Sequence, residues 1–289
     1  GMLLTIWSGD GSALDVARVQ PMKLAAMEGL YDGQCGQEIV AFGILNPEKT
    51  VDNDADPYMM KIAIPKGLSF LATHDFNAFV PGINDLIEGI EITPEGDTIH
   101  TDSYAQRIEI GRAAHDALRR FDVAAATGDT AAMALASSDL KDNYRYFGYG
   151  YLDSPSEAVP PVALTFYSFH TMVLLGGYLM LFFIIVLWAV YRRPQWLKKR
   201  WLQVVGMLTI PIVYVCSQAG WVTAEVGRQP WIIQDIMPVK AAISDIPAST
   251  VVLTFWLFAL MFTAFLAAEV AIMLRSISKG SKANYESDK

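Results

Sequence analysis

The chain has 289 residues, 53% of them hydrophobic, and a formal charge of −8. This is too apolar for a disordered chain, and the acidic balance without a basic aromatic stripe excludes a nucleic-acid binder. Cys35 lies in a polar half and Cys216 in an apolar segment, so no cysteine metal pair and no disulfide is expected.

Met2–Trp7 is apolar but far shorter than a membrane span or a signal segment. Residues 1–7 are therefore expected to be the outer end of a transmembrane helix whose remainder is absent. Residues 8–160 are polar, acidic and rich in turn formers, and read as a folded, mostly helical domain. Pro21 suits a helix start, and Met22–Tyr31 reads as a short amphipathic helix. Asn46–Pro57 reads as a loop, and Lys61–Ile64 as a strand ending at Pro65. Ile108, Ala114, Leu118 and Phe121 give Tyr104–Phe121 a helical spacing, and Thr130–Phe147 reads as a second helix.

Three segments are long and apolar enough to cross a bilayer. Val162–Val190 is almost uncharged apart from His170, Val204–Trp221 carries no charge, and Val251–Leu274 carries only Glu269. Inside lipid they must be helices, because each backbone group has to be satisfied internally. The expected organisation is a span over 161–191, a loop over 192–200, a span over 201–222, a loop over 223–248, a span over 249–275 and a tail over 276–289. Arg192, Arg193, Lys198, Lys199 and Arg200 make the first loop basic, and Arg275, Lys279 and Lys282 follow the third span. By the positive-inside rule these are cytoplasmic, which places residues 8–160 and the 223–248 loop on the outer face. The expected fold class is an all-α integral membrane protein, a helix bundle carrying a large extracytoplasmic loop domain.

The run Gly220-Trp221-Val222-Thr223-Ala224-Glu225-Val226-Gly227-Arg228-Gln229-Pro230-Trp231 places a carboxylate and a guanidinium three residues apart at the mouth of a span. Charges there are costly unless paired or ligated, and tryptophans favour the interface. On the residues alone, an interfacial Glu225–Arg228 pair at i, i+3 explains them. Likewise Lys23 and Glu28 read as solvated surface groups, Met172 as core or lipid-facing filler, and His170 as a hydrogen-bonded interfacial residue.

The run resembles the GWxxxExGRQPW signature of subunit I of the cytochrome bd quinol oxidases. The likeness continues in Ser8-Gly9-Asp10, in Val19-Gln20-Pro21-Met22-Lys23-Leu24-Ala25-Ala26-Met27-Glu28, and in Ala63-Ile64-Pro65, Ala72-Thr73 and Pro81-Gly82-Ile83, so it covers nearly the whole chain. It implies that 8–160 is the family's Q-loop, in its long form, where quinol is oxidised. The family's quinol-linked residues fall on Lys23 and Glu28. On a helix these side chains point about 140° apart, so they are expected to face two different partners.

The same resemblance implies that Met172 is an axial ligand of a low-spin haem b iron and Glu225 the ligand of a high-spin haem iron. Trp221 would pack between haems, Gly227 would let a macrocycle approach, and Arg228 would meet propionates or Glu225. Trp231 closes the motif and is grouped with these cofactor residues. His170 stands where the family often has an arginine, and would meet the haem or its propionates as a partly charged group.

The implied cofactors are two haems b and one haem d, with quinol (ubiquinol or menaquinol) as substrate and oxygen as acceptor. The implied partners are N-terminal helices of the same subunit, a second integral subunit and membrane lipid, in the bacterial cytoplasmic (inner) membrane. The expected function is oxidation of quinol outside and reduction of oxygen to water, with a proton gradient made without pumping, by the complete complex and not by this chain alone. The alternatives are a membrane-anchored binding module without catalysis, and a bd-like oxidase with b-type haems only.

Overall fold

The structure, a computed structural model, describes residues 1–51, 53–92 and 97–286; the side chains of residues 2, 3, 92 and 279–286 lie outside that description. The fold is all-α and membrane-spanning. The short strands form four two-stranded antiparallel ribbons among the described residues.

α1 (Met2–Val19) runs unbroken through residues 7 and 8, so the expected boundary there does not coincide with a helix end. It packs on α2 (Pro21–Glu28) and α3 (Gly67–Thr73), and His74 Nε2 lies 3.4 Å from Asp10 Oδ1. α2 starts with Pro21 at its first turn and stops at Gly29, whose φ of 58° is left-handed. That stop is why the helix is shorter than Met22–Tyr31. A side chain at Gly29 would also collide with Leu45 and Tyr58.

β1 (Gln34–Cys35) pairs with β4 (Phe79–Val80), and β2 (Ile39–Leu45) with β3 (Tyr58–Ile64). The strand therefore begins three residues before Lys61, and Ile39–Leu45 is its partner. Met59, Met60, Ile62 and Ile64 are all exposed, so no clean in–out alternation marked the hairpin in the sequence. Asn46–Pro57 is its connection, closed by Asn46 N–H donating to the Pro57 carbonyl at 2.9 Å.

α4 (Ile83–Glu88) and the β5–β6 ribbon (Ile90–Ile92 with Thr98–His100) lead to α5 (Tyr104–Thr127). A reciprocal cap between Ser103 and Gln106 starts α5, and Gly128, φ 73°, ends it. α6 (Thr130–Asn143) is capped by Asp129, which accepts from Ala131 and Ala132 N–H. It ends earlier than expected, because Tyr144–Tyr151 winds into a tighter 3₁₀ turn against α5.

Among the described residues three helices are long and apolar enough to cross a membrane. α7 (Val162–Arg192) has 31 residues, about 46 Å at 1.5 Å each, against roughly 30 Å of hydrocarbon. It packs on α8 (Arg200–Val226), where Tyr178 and Thr209 hydroxyls meet at 2.8 Å. α8 continues four residues past the expected span end at 222, so Glu225 sits in its last helical turn rather than in a loop. The basic Arg192–Arg200 connection lies at one end of this hairpin and the loop domain at the other. β7 (Trp231–Ile233) pairs with β8 (Met237–Pro238) beyond α8. Residues 243–289 form a separate unit whose helix α9 (Ala248–Glu286) carries Glu269. Lys279 and Lys282 lie outside the described side chains.

Candidate functional site

α2 lies against α7, and its first turn reaches the end of α8. Lys23 Nζ donates to the Ala224 carbonyl at 3.2 Å, across 201 positions of sequence. Next to it Arg228 Nη2 and Glu225 Oε2 are 2.5 Å apart, with the side chains about one-third and two-fifths exposed. Burial holds the Lys23 ammonium below its usual range; the Arg228 guanidinium adds to this and the Glu225 carboxylate opposes it. The cluster thus has two cations and one anion.

Gly227 makes this approach possible. A Cβ there would lie 2.6 Å from the Thr223 carbonyl oxygen, 3.1 Å from Thr165 Cγ2 and 3.2 Å from Lys23 Cγ. Gly227→Ala is expected to shift the last turn of α8 away from the Thr223 carbonyl, to crowd Lys23 and Thr165, and to cost about 1–3 kcal/mol by overpacking. Thermal denaturation of the complete complex checks this, and an unchanged melting temperature would refute it.

These groups suit a haem edge. Trp221, 62% exposed, precedes Glu225 by four residues, which puts an open aromatic face and a carboxylate one turn apart on one helix side. Arg228 Nε is buried without a partner, and a carboxylate such as a propionate would accept from it. Met172 is half-buried at the α7–α8 seam. Its sulfur lies where a Cβ on Gly220 would come within 3.0 Å, so the glycine makes space for the thioether.

The remaining expected residues lie elsewhere. His170 is buried and stacked on Phe166, with ring centroids 3.9 Å apart. Its Nδ1 lies 2.9 Å from the Phe166 carbonyl and its Nε2 2.8 Å from the Val40 carbonyl; a neutral ring has one N–H and donates to one of the two. The ring joins the first span to β2 instead. Trp231 is 3% exposed in the loop-domain core, edge-on to Tyr149 at 4.9 Å, and does not share the open face of Trp221. Tyr149 donates to Asp235 at 2.6 Å and accepts from Arg107, so the chain after α8 is pinned to α5. Arg107, Tyr149 and Asp235 were not singled out in the sequence, since nothing in their spacing links them.

Glu28 faces away from Lys23, as the helical angle predicts. It is 2% exposed, and its Oε2 accepts from Val40 N–H at 3.4 Å. Tyr58 donates its hydroxyl to the Glu28 backbone carbonyl. Burial pushes the Glu28 carboxyl up to about 7, against a smaller downward pull from the Val40 N–H. A carboxylate poised near neutrality can accept a proton from a bound donor and release it again. Val40 therefore connects two expected residues, its N–H to Glu28 and its carbonyl to His170.

The family described as cytochrome bd terminal oxidase subunit I matches residues 1–281. Cytochrome bd-II ubiquinol oxidase subunit 1 of Escherichia coli is 32% identical over 286 residues, covering 96% of this chain and 52% of that protein. Cytochrome bd ubiquinol oxidase subunit 1 of Bacillus subtilis is 24% identical, covering 95% and 45%. The solved bd oxidase from Geobacillus thermodenitrificans shares the fold with a TM-score of 0.58 at 22% identity, covering 95% of this chain and 45% of that one. The chain spans about half the length of the relatives it matches.

Proposed function

The chain belongs to the cytochrome bd terminal oxidase subunit I family, and on that basis we propose that it is the part of a bacterial respiratory oxidase that takes electrons from quinol. In the complete enzyme, quinol is oxidised at the outer membrane face and oxygen is reduced to water, with two haems b and one haem d. The bound haems supply electron transfer and oxygen chemistry. Met172 would ligate the low-spin haem and Glu225 a high-spin haem, while their further ligands come from helices beyond these residues. The second integral subunit completes the complex. The orientation rests on the basic Arg192–Arg200 connection, which the positive-inside rule puts in the cytoplasm. Protons released outside and consumed from inside would make the reaction electrogenic without a pump.

The observation that carries this reading is the Lys23–Ala224 hydrogen bond. It joins α2, where the quinol-linked residues of the family fall, directly to the Glu225–Arg228 motif. Glu28, on the opposite side of α2, is the proton acceptor. Lys23 holds α2 in register against α8 and presents a cation beside Arg228. Lys23→Ala in the complete enzyme is expected to lower kcat/KM for quinol about tenfold, the loss of one charge-assisted hydrogen bond. Lys23→Arg should recover part of it. Steady-state oxygen uptake against quinol concentration tests this, and wild-type kinetics in Lys23→Ala would reject the assignment.

A further inference from the structure

The β2–β3 hairpin lies along the first three turns of α7 and is held there at three points. Leu45 N–H donates to the Tyr167 hydroxyl at 3.1 Å. Phe166 is fully buried against Val40 and Leu45, and Gly43 leaves room for its ring, since a Cβ there would come within 3.1 Å of it. The third point is His170, buried, with Nε2 2.8 Å from the Val40 carbonyl.

The first two contacts dock the hairpin, and the third fixes a single residue of it. The Phe166 carbonyl beside Nδ1 already has its helical partner, the His170 backbone N–H. Val40 is 7% exposed, so its carbonyl has little access to water. The ring proton therefore belongs on Nε2, where it is donated to Val40. On its other side Val40 N–H donates to Glu28 Oε2 at 3.4 Å. The pairing of β2 with β3 shifts register just after Val40, so the ladder alone does not set the direction of these two groups.

We propose that His170 is a positioning residue for proton transfer, holding the Val40 backbone so that its N–H stabilises the Glu28 carboxylate. The proposal rests on the reading of Glu28 as the proton acceptor and adds to it a residue of the first span. The link runs from a side chain of α7, through one residue of β2, to the carboxyl of α2. His170 itself neither gives nor takes a proton. Among the described residues Val40 N–H is the one hydrogen-bond donor to that carboxyl, whose Oε1 has no partner. It opposes the burial that pushes Glu28 up to about 7. Tyr31, Asp32, Glu38, Asp56, Tyr58 and Lys61 are the other titratable groups around the space beside Glu28, and none of them hydrogen-bonds to its carboxyl. From α7 the facing group is His170. Without the Val40 bond, burial acts unopposed and the carboxyl keeps its proton to higher pH.

The test is the pH profile of kcat/KM for oxygen uptake driven by a short-chain quinol, in the complete enzyme carrying His170→Leu, His170→Asn or His170→Gln. Leucine removes the donor. Asparagine keeps an amide that reaches Phe166 but not Val40, and it decides if the leucine variant fails to assemble. Glutamine places an N–H near the position of Nε2 and carries no charge at any pH. The expected result is an acid limb moved up by about half to one pH unit in His170→Leu and His170→Asn, the effect of one hydrogen bond to a carboxylate. His170→Gln should stay close to wild type, a rescue that a merely space-filling role does not give. Glu28→Gln is measured alongside. Wild-type profiles in His170→Leu and His170→Asn, with Glu28→Gln slow, would overturn the His170–Val40 link and leave the role of Glu28 intact. An unmoved limb together with a shifted low-spin haem potential has the same meaning, with His170 serving the haem. If Glu28→Gln turns over as wild type, the proton-acceptor reading fails and the proposal fails with it.

Discussion

Replacing Glu225 by alanine in the complete enzyme is expected to remove the high-spin haem signal and to lower quinol-driven oxygen uptake by on the order of 100-fold, since losing a direct ligand costs at least as much as losing an outer partner. The carboxylate is two-fifths exposed beside the open face of Trp221, and its protein partner is Arg228 at 2.5 Å. An anionic oxygen ligand suits ferric iron, and the metal's charge offsets the cost of a carboxylate at membrane depth. A purely structural pair behaves differently. Exposed ion pairs contribute about 0–1 kcal/mol, and removing either partner breaks them equally. Arg228→Ala is therefore expected to keep the high-spin signal while Glu225→Ala loses it. Equal and small effects from the two variants would reduce Glu225 to an interfacial pair.

Glu28→Gln is expected to have the second largest effect, with two separable consequences. Without a proton acceptor, kcat for quinol should fall by about 100-fold. Stability should move the opposite way at high pH. The carboxyl ionises near 4.5 when unfolded and near 7 when folded. Below both values each state holds the proton and this group does not affect folding. As pH rises from 4.5 to 7 the unfolded state releases the proton first, so the folded state is progressively disfavoured. Above 7 the loss is complete, about 3 kcal/mol for a shift of this size. Glutamine carries no such penalty. The melting temperature of the variant should thus gain on the wild type between pH 5 and pH 8. A gap between the two that does not vary with pH would show that Glu28 is not held protonated by burial.

The helices that cross the membrane were legible because lipid demands long uncharged runs, and Val162–Val190 or Val251–Leu274 allow no other reading. So was the start of α2, where Pro21 fixes the first turn. The end of α8 was not. Val222–Val226 includes Thr223 and Glu225, which look like loop residues, yet the helix carries them so that Glu225 falls one turn after Trp221. The β2–β3 hairpin was half visible because its outward side chains are apolar on both registers. The site itself is mostly tertiary. The Lys23–Ala224 contact spans 201 positions and Tyr149–Asp235 spans 86, distances over which one sequence carries no pairing signal. The opposite lesson comes from His170 and Trp231. Their place near the motifs suggested a cofactor, whereas packing gives one to β2 and the other to the loop-domain core.

The most direct measurement is a reduced-minus-oxidised absorption spectrum of the purified complete complex, with quinol as the only reductant. Bands of b-type haem together with a far-red haem d band, both reduced by quinol and lost in part in Glu225→Ala and Met172→Leu, are the predicted result. A complex that shows no haem band reducible by quinol would contradict the assignment of this chain to quinol oxidation.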